Sequence, residues 1–293
     1  MNNFHRRGFL LAGAGVAASG AWLPVRAAVN FRQAMAGLEA RLGGQAGLSA
    51  LDTGNGRTLS WRGHERFAMC SSFKWLLAAA VQKRVEEGDL KSDQMIHYSA
   101  KALLSHSPRT EAHVKDSGMT VDDLCAAVVE VSDNGGANLL LDQVGGPEGL
   151  TRFLRDTGDG VTRLDRKELA LNSNIPGDPR DTTTPDAMVA TMKRIMLGDV
   201  LKPGSREKLL DWLRKNETGD KRLRAGLPKD WVVGDKTGTG TRGATVDDAI
   251  AWPPGRRPIL IAAYLSGSTK PIDALEAGHA EMGRLVAVAF AKA

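Results

Sequence analysis

A serine and a lysine three residues apart form the first pair that could carry out chemistry. Ser71-Ser72-Phe73-Lys74 begins a strongly helical segment, and residues three apart share one face of a helix. A serine hydroxyl needs a base and a site for developing negative charge before it can act as a nucleophile. Lys74 and the free N–H groups of the helix N-terminus could supply both. Taken alone, the pair is better explained as an N-capping serine beside an unrelated lysine, because so short a pattern arises by chance in a chain of this length.

Two further polar tripeptides follow at element boundaries. Ser132-Asp133-Asn134 lies between two predicted helices, where its hydroxyl and amide could relay a proton and hold a carbonyl. Helix capping alone is the alternative for this segment. Lys236-Thr237-Gly238 lies in a predicted strand, where the lysine could bind a carboxylate and the glycine would let a ligand pair with the strand edge.

In this order and setting, the three motifs resemble the signature of class A β-lactamases and of the related penicillin-binding proteins. The long loop at 163–181 separates these two families. Glu168 and Asn172 match the pair that holds the hydrolytic water in class A enzymes, which penicillin-binding proteins lack, and Arg166 and Asp181 match the salt bridge across the neck of the family's Ω loop. The chain is therefore identified as a member of the class A serine β-lactamases.

The resemblance assigns roles to individual residues. Ser71 is the nucleophile, Ser132 passes a proton to the leaving nitrogen, and Glu168 activates the deacylating water that Asn172 positions. The acylation base is Lys74, or Glu168 acting through a water. The substrate-binding residues that it implies are Asn134, Lys236, Thr237, Gly238 and Thr239, with backbone N–H groups of Ser71 and Thr239 as the oxyanion hole.

Two positions bear on the substrates. Thr245 replaces an arginine that many members carry after the Lys-Thr-Gly strand, and Arg222 matches the position from which other members, including several carbapenemases, supply that charge. His106 matches an aromatic position at the pocket mouth, although a merely exposed histidine is an equal alternative. We expect hydrolysis of penicillins and cephalosporins, with carbapenems as a possible extension.

The resemblance also predicts local features. Cys70 and Cys125 match half-cystines of two different branches, whose partners here are Gly240 and Ala78, so we expect two free thiols. A cis peptide bond is expected between Glu168 and Leu169. No cofactor and no metal are implied, and the six histidines form no closely spaced ligand set, which argues against a metallo-β-lactamase.

Hydrophobic periodicity predicts the elements that position these motifs. Strands are predicted at 47–52, 57–62, 231–239, 245–252 and 258–266, and helices at 31–42, 71–87, 121–131, 137–144, 147–156, 185–197, 206–215 and 273–291. Strands at both ends around a helical middle indicate an α+β fold, with a five-stranded antiparallel sheet flanked by helices and an inserted all-α domain. The expected domains are 28–64 with 222–293 (α/β) and 65–221 (all-α), with the active site between them.

The N-terminus is typical of an export signal. His5-Arg6-Arg7-Gly8 resembles a twin-arginine motif, and residues 1–27 would form the signal peptide of a periplasmic protein; an uncleaved signal anchor is the alternative. The chain carries 39 Lys and Arg against 34 Asp and Glu, and the leader holds three of the arginines and no acid. Without it the charge is nearly balanced, which argues against nucleic-acid binding. We expect a monomer that acts on small-molecule β-lactams away from the membrane.

Two rival functions share these motifs. A penicillin-binding DD-peptidase or a β-lactam sensor would acylate Ser71 but deacylate slowly, and Glu168 with Asn172 argues against both. A non-catalytic periplasmic binding protein is disfavoured because Ser71, Lys74 and Ser132 are all present.

Overall fold

The central sheet draws its strands from both ends of the chain. The computed structural model describes residues 25–116 and 118–291, so the predicted signal peptide lies outside the described residues except for 25–27, which begin the first helix. The strands are β1 Gln45–Asp52, β2 Thr58–Trp61, β3 Phe67–Ala68, β4 Met95–His97, β5 Gly118–Thr120, β6 Thr182–Thr183, β7 Val232–Thr239, β8 Thr245–Trp252 and β9 Ile259–Ser266.

Five of these strands form one antiparallel sheet in the order β2-β1-β9-β8-β7. The predicted α+β fold, with a five-stranded antiparallel sheet from both chain ends and helices between, is confirmed. Each of the five strands lies within two residues of its predicted ends. The two pairs β3·β6 and β4·β5 were not predicted, because strands of two or three residues leave no periodic signal.

Helices cover both faces of the sheet and fill the middle of the chain. They are α1 Val25–Leu42, α2 Phe73–Glu87, α3 Pro108–Ala112, α4 Val121–Glu130, α5 Asn134–Gln143, α6 Gly146–Asp156, α7 Pro185–Met192, α8 Pro203–Arg214, α9 Leu223–Gly226 and α10 Ile272–Phe290. No helix within the described ranges combines the length and apolar character needed to cross a bilayer.

Two apolar cores lie on opposite sides of the sheet. One contains side chains of α1 and α10, such as Met35 and Phe290. The other surrounds α2, whose residues from Phe73 to Gln82 are all buried. A helix buried on every side belongs to the interior of a domain, so the segment that follows Ser71 is held rigidly between the sheet and the remaining helices.

Four predicted helix ends differ from the structure by three residues or more. The helix predicted at 31–42 begins at Val25. The helix predicted at 137–144 begins at Asn134, because Asp133 Oδ1 accepts the Gly136 N–H at 2.8 Å and caps it. The helix predicted at 206–215 begins at Pro203, a residue well suited to a first turn. The helix predicted at 185–197 ends as an α-helix at Met192 and continues as a short π-helix, Lys193–Leu197.

Candidate active site

The serine of the first motif lies where the chain enters the buried helix. Ser71 occupies a single 3₁₀ turn, Cys70–Ser72, that leads into α2, and Cys70 has a left-handed backbone with φ of 45°. Strand β7 passes directly beside this turn. A Cβ atom on Gly238 would lie 2.8 Å from both the Met69 carbonyl oxygen and the Ser71 nitrogen, so only glycine allows this approach.

Lys74 is the centre of the polar network. Its Nζ lies 3.1 Å from Ser71 Oγ and 3.0 Å from Glu168 Oε1, and it donates to the Ser132 carbonyl oxygen at 2.9 Å and to Asn134 Oδ1 at 2.5 Å. Burial lowers the pKa of Lys74 below its usual value, against the opposing effect of the Glu168 carboxylate. A buried amine with a lowered pKa is suited to taking and returning a proton.

The second motif caps a helix and also faces the nucleophile. Asp133 caps α5, while Ser132 has a left-handed backbone, with φ of 60°, that brings its Oγ within 3.3 Å of Lys74 Nζ. Asn134 Nδ2 donates to the Ser105 carbonyl oxygen at 2.7 Å. Within this tripeptide, Asp133 therefore caps the helix, whereas Ser132 and Asn134 contact Lys74.

Glu168 reaches the nucleophile from the loop. Its Oε1 lies 3.4 Å from Ser71 Oγ, and Asn172 Nδ2 donates to Oε2 at 2.7 Å. The Glu168–Leu169 peptide bond is cis, as predicted. Asn138 pairs with the backbone of Glu168 on both sides, accepting from its N–H at 3.0 Å and donating to its carbonyl oxygen at 3.1 Å.

Asn138 was missed in the sequence, although a signal was present. It lies four residues after Asn134 on α5 and so on the same helix face. A second polar amide one turn beyond a motif residue was therefore a candidate for the same site.

The third motif forms the wall opposite Glu168. Lys236 is fully buried on β7, and its Nζ donates to the Thr237 carbonyl oxygen at 2.8 Å. Burial and the nearby Lys74 ammonium lower the pKa of Lys236 to about 7. The hydroxyls of Thr237 and Thr218 lie 2.5 Å apart; Thr218 carried no sequence signal.

Arg222 crosses behind this strand. Its guanidinium donates to the carbonyl oxygens of Gly238 and Val246, both at 2.7 Å, and to Thr239 Oγ1 at 2.6 Å. Thr245, buried at the start of β8, bonds instead to His279 Nε2 at 3.0 Å. Arg222 is thus the cation that contacts Thr239.

These groups surround one cleft of about 390 Å³. His106 stands exposed at its rim, with Nε2 held 2.8 Å from the Val131 carbonyl oxygen. The residues that line the cleft are Ser71, His106, Ser132, Asn134, Leu169, Asn172, Thr218, Arg222, Thr237, Gly238, Thr239 and Glu276. Lys74, Glu168 and Lys236 are buried at its margins.

The neck of the loop is closed by a buried carboxylate. Asp181 Oδ2 accepts from Arg166 Nε at 2.6 Å, and its Oδ1 accepts from the backbone N–H groups of Asp165 and Arg166. This pair fixes the loop that carries Glu168. Cys70 and Cys125 are both buried and free, as predicted.

The arrangement is that of a hydroxyl nucleophile with proton acceptors on two sides, a second hydroxyl and a cationic wall. Within residues 25–116 and 118–291, no group of three or more His, Cys, Asp or Glu side chains is placed to hold a metal ion. Such a set suits attack on a carbonyl group and transfer of the acyl group to water.

Comparisons with known proteins agree with this chemistry. The sequence profile of the β-lactamase enzyme family matches residues 30–290. The chain is 48% identical over 249 residues to the carbapenem-hydrolysing β-lactamase KPC of Klebsiella oxytoca, covering 85% of each chain. It is 49% identical to β-lactamase AST-1 of Nocardia asteroides, covering 85% of this chain and 80% of the relative. An ancestral class A β-lactamase structure is 57% identical, with a TM-score of 0.87 over 89% of this chain and 100% of the other.

Proposed function

The chain belongs to the class A serine β-lactamases and hydrolyses β-lactams, and on this premise we propose that the reaction runs through an acyl-enzyme on Ser71. One observation carries the proposal: Ser71 Oγ lies between two groups that can take its proton, Lys74 in its neutral form, with Nζ at 3.1 Å, and Glu168, with Oε1 at 3.4 Å. A serine hydroxyl flanked in this way can be deprotonated as it attacks.

In acylation, Ser71 Oγ bonds to the lactam carbonyl carbon and the ring C–N bond breaks. The serine proton passes to neutral Lys74, or through a water to Glu168. Ser132 delivers its proton to the leaving nitrogen and is reprotonated by Lys74, whose Nζ lies 3.3 Å from Ser132 Oγ. The backbone N–H groups of Ser71 and Thr239 would meet the oxyanion, and one such donor is worth about 100- to 1000-fold in rate.

Substrate binding divides between the two walls of the cleft. Lys236, Thr237 and Thr239 hold the carboxylate that β-lactams share, with Arg222 adding positive charge behind Thr239. On the opposite wall, Asn134 holds the amide side chain of the substrate. Gly238 lets the substrate approach the edge of β7 and pair with the backbone of that strand, and His106 lies at the rim.

In deacylation, Glu168 takes a proton from a water that attacks the ester carbonyl. Asn172 positions this water and also holds Glu168 Oε2 at 2.7 Å. As the ester C–O bond breaks, the proton held by Glu168 returns to Ser71 Oγ, and the ring-opened acid leaves the free enzyme. This step separates a hydrolase from a protein that remains acylated.

Time-resolved intact mass spectrometry with benzylpenicillin tests the proposal. We expect the wild type to consume the drug with only a short-lived adduct, whereas a Glu168→Gln variant should keep a stoichiometric adduct on Ser71. A Ser71→Ala variant is the matched control and should form none. A long-lived adduct on the wild type would instead indicate a penicillin-binding protein or sensor.

The substrate range extends to carbapenems in this proposal. Arg222 contacts Thr239 in the carboxylate site. Two relatives, the KPC enzyme and an imipenem-hydrolysing β-lactamase of Enterobacter cloacae that is 45% identical, carry this activity in their names. The loss of imipenem absorbance with catalytic enzyme measures it, and no detectable turnover would remove carbapenems from the range.

The same proposal covers export and organisation. Residues 1–27 direct the chain through the twin-arginine pathway to the periplasm, where it acts as a monomer. The site lies between an α/β domain, 28–64 with 222–293, and an all-α domain, 65–221. Replacing Arg6 and Arg7 by lysine should abolish periplasmic activity, and light scattering of the mature protein should give the monomer mass.

A further inference from the structure

A buried carboxyl group lies behind the active site and has no role in the chemistry above. Asp248 is on β8 and is only 1% exposed. It lies between the sheet and the start of α2, close to the turn that carries the nucleophile. A carboxyl group in such a position is costly unless donors surround it.

Two donors from two other elements hold Asp248, and a serine hydroxyl lies beside it. The Tyr264 hydroxyl, on β9, donates to Oδ1 at 2.8 Å, and the Trp75 indole, on α2, donates to Oδ2 at 3.4 Å. The buried Ser72 hydroxyl makes no hydrogen bond in the structure, but it lies close enough to Asp248 to lower the pKa of that carboxyl. Indole is a donor only, so the pocket is built for an acceptor.

The sheet register places Asp248 across from Lys236. The two residues are direct cross-strand partners between β8 and β7, and such partners project from the same face with Cβ atoms about 5 Å apart. The neighbouring Asp247 lies across from Thr237 and accepts from the Leu223 N–H at 2.9 Å on the opposite face. Asp248 is therefore the acidic neighbour of Lys236 on the side of the sheet that faces Ser71.

Asp248 and Lys236 both change protonation state near neutral pH. Burial raises the pKa of Asp248 to about 7, although Tyr264, Ser72, Trp75 and Lys236 all lower it. The pKa of Lys236 is also about 7, because burial, Lys74 and Arg222 lower it while Asp235 and Asp247 raise it. Because each group favours the charged form of the other, a change at Asp248 changes the fraction of Lys236 that carries a proton.

We propose that Asp248 is a positioning residue for substrate recognition, which is anchored by Tyr264 and Trp75 behind the nucleophile turn and adds to the negative charge that favours protonated Lys236. The inference rests on the proposed role of Lys236 in binding the substrate carboxylate. Asp248 itself touches no substrate. Its effect is on how strongly the cleft binds an anionic ligand at and above neutral pH.

The pH profile of kcat/KM for benzylpenicillin tests this role, because it reports ionisations of the free enzyme. Without the Asp248 charge, Lys236 loses its proton at lower pH, so in Asp248→Asn the alkaline fall of kcat/KM should move to lower pH, by less than the loss of all its acidic neighbours would cause, because Asp235 and Asp247 remain. The profiles should converge in acid, where Asp248 is protonated in the wild type. The loss should appear in KM more than in kcat.

Tyr264→Phe provides a second variant that leaves the carboxyl group in place. It removes one donor to Asp248, which raises the pKa of Asp248, so the alkaline fall should shift in the same direction. In the Asp248→Asn background it should add no further shift. Asp230→Asn, which removes an exposed carboxylate before β7, is the matched control and should leave the profile unchanged.

The outcomes separate the inference from the function on which it rests. If kcat/KM falls in the same alkaline range for benzylpenicillin and for its methyl ester in the wild type, Lys236 does not bind the substrate carboxylate and its proposed role fails. If the fall is specific to the free acid but neither variant moves it, the role of Asp248 is overturned while that of Lys236 stands. Should Asp248→Asn fail to fold, the Tyr264→Phe profile alone decides.

Discussion

The Lys74 ammonium and the Glu168 carboxylate lie 3.0 Å apart, and both side chains are fully buried. Burial lowers the pKa of Lys74, and the Glu168 charge works against that fall. Both are also within reach of Ser71 Oγ, so the two possible routes for the serine proton meet at this pair.

The pair predicts how the acylation rate responds to pH. Glu168→Gln removes the charge that favours protonated Lys74, so the pKa of Lys74 should fall further and its neutral, basic form should appear at lower pH. We expect the acylation rate of this variant, measured by stopped-flow mixing with a chromogenic cephalosporin, to reach half its maximum at a lower pH than that of the wild type.

A Lys74→Ala control tests the same assignment from the other side. If Lys74 is the base, this variant should acylate about 100- to 10,000-fold more slowly. Near-normal acylation of Lys74→Ala, together with slow and pH-independent acylation of Glu168→Gln, would assign the base to Glu168 acting through a water.

The contacts of Asn138 predict that deacylation slows when Glu168 is no longer held in position. Its side chain brackets the Glu168 backbone with hydrogen bonds of 3.0 and 3.1 Å, and Asn138→Ala removes both. A misplacement of about 1 Å can cost about 100-fold in rate, so we expect deacylation to slow by that order while acylation changes less. Single-turnover decay of the adduct measures this. Asn55→Ala, in the exposed turn after β1, should have no effect.

The Arg166–Asp181 pair predicts the stability of the loop. Arg166→Ala leaves Asp181, whose side chain is 1% exposed, without its cation, and breaking a buried pair costs about 3 kcal/mol. Urea unfolding should show this loss, accompanied by slower deacylation. Arg180→Ala breaks the more exposed pair with Asp178 and should cost much less. Equal losses in the two variants would mean that the neck pair has no special role.

The sequence predicted the elements and motif residues that follow local rules. The strands of the main sheet have clear alternation, and Ser71 and Lys74 share a helix face, so their proximity follows from spacing alone. Asn134 and Glu168 reach Lys74 from other elements, and only the family resemblance brought them to one site. Thr218 and Asp248 were missed because their roles arise from packing of β7 and β8, which no local pattern encodes.

The position of Gly240 beside Cys70 predicts that a disulfide can be introduced there by substitution. A Cβ atom on Gly240 would lie 2.7 Å from Cys70 Sγ, so Gly240→Cys places a second sulfur beside the first. Burial raises the pKa of the Cys70 thiol to about 12, and the thiolate is the reactive form. The bridge should therefore form during oxidative folding rather than when an oxidant is added to the folded protein.

Thiol titration of the denatured, unreduced protein measures the result. The wild type should titrate its two free cysteines, whereas oxidatively folded Gly240→Cys should titrate only Cys125. The closed loop is long, so the oxidised variant should exceed its reduced form by about 3 kcal/mol in the free energy of unfolding. Gly240→Ser, the control for crowding by the new Cβ, should be less stable than the wild type because that atom would also lie 2.7 Å from the Asn172 carbonyl oxygen. Three titratable thiols after oxidative folding would show that the turn at Cys70 cannot reach bridging geometry.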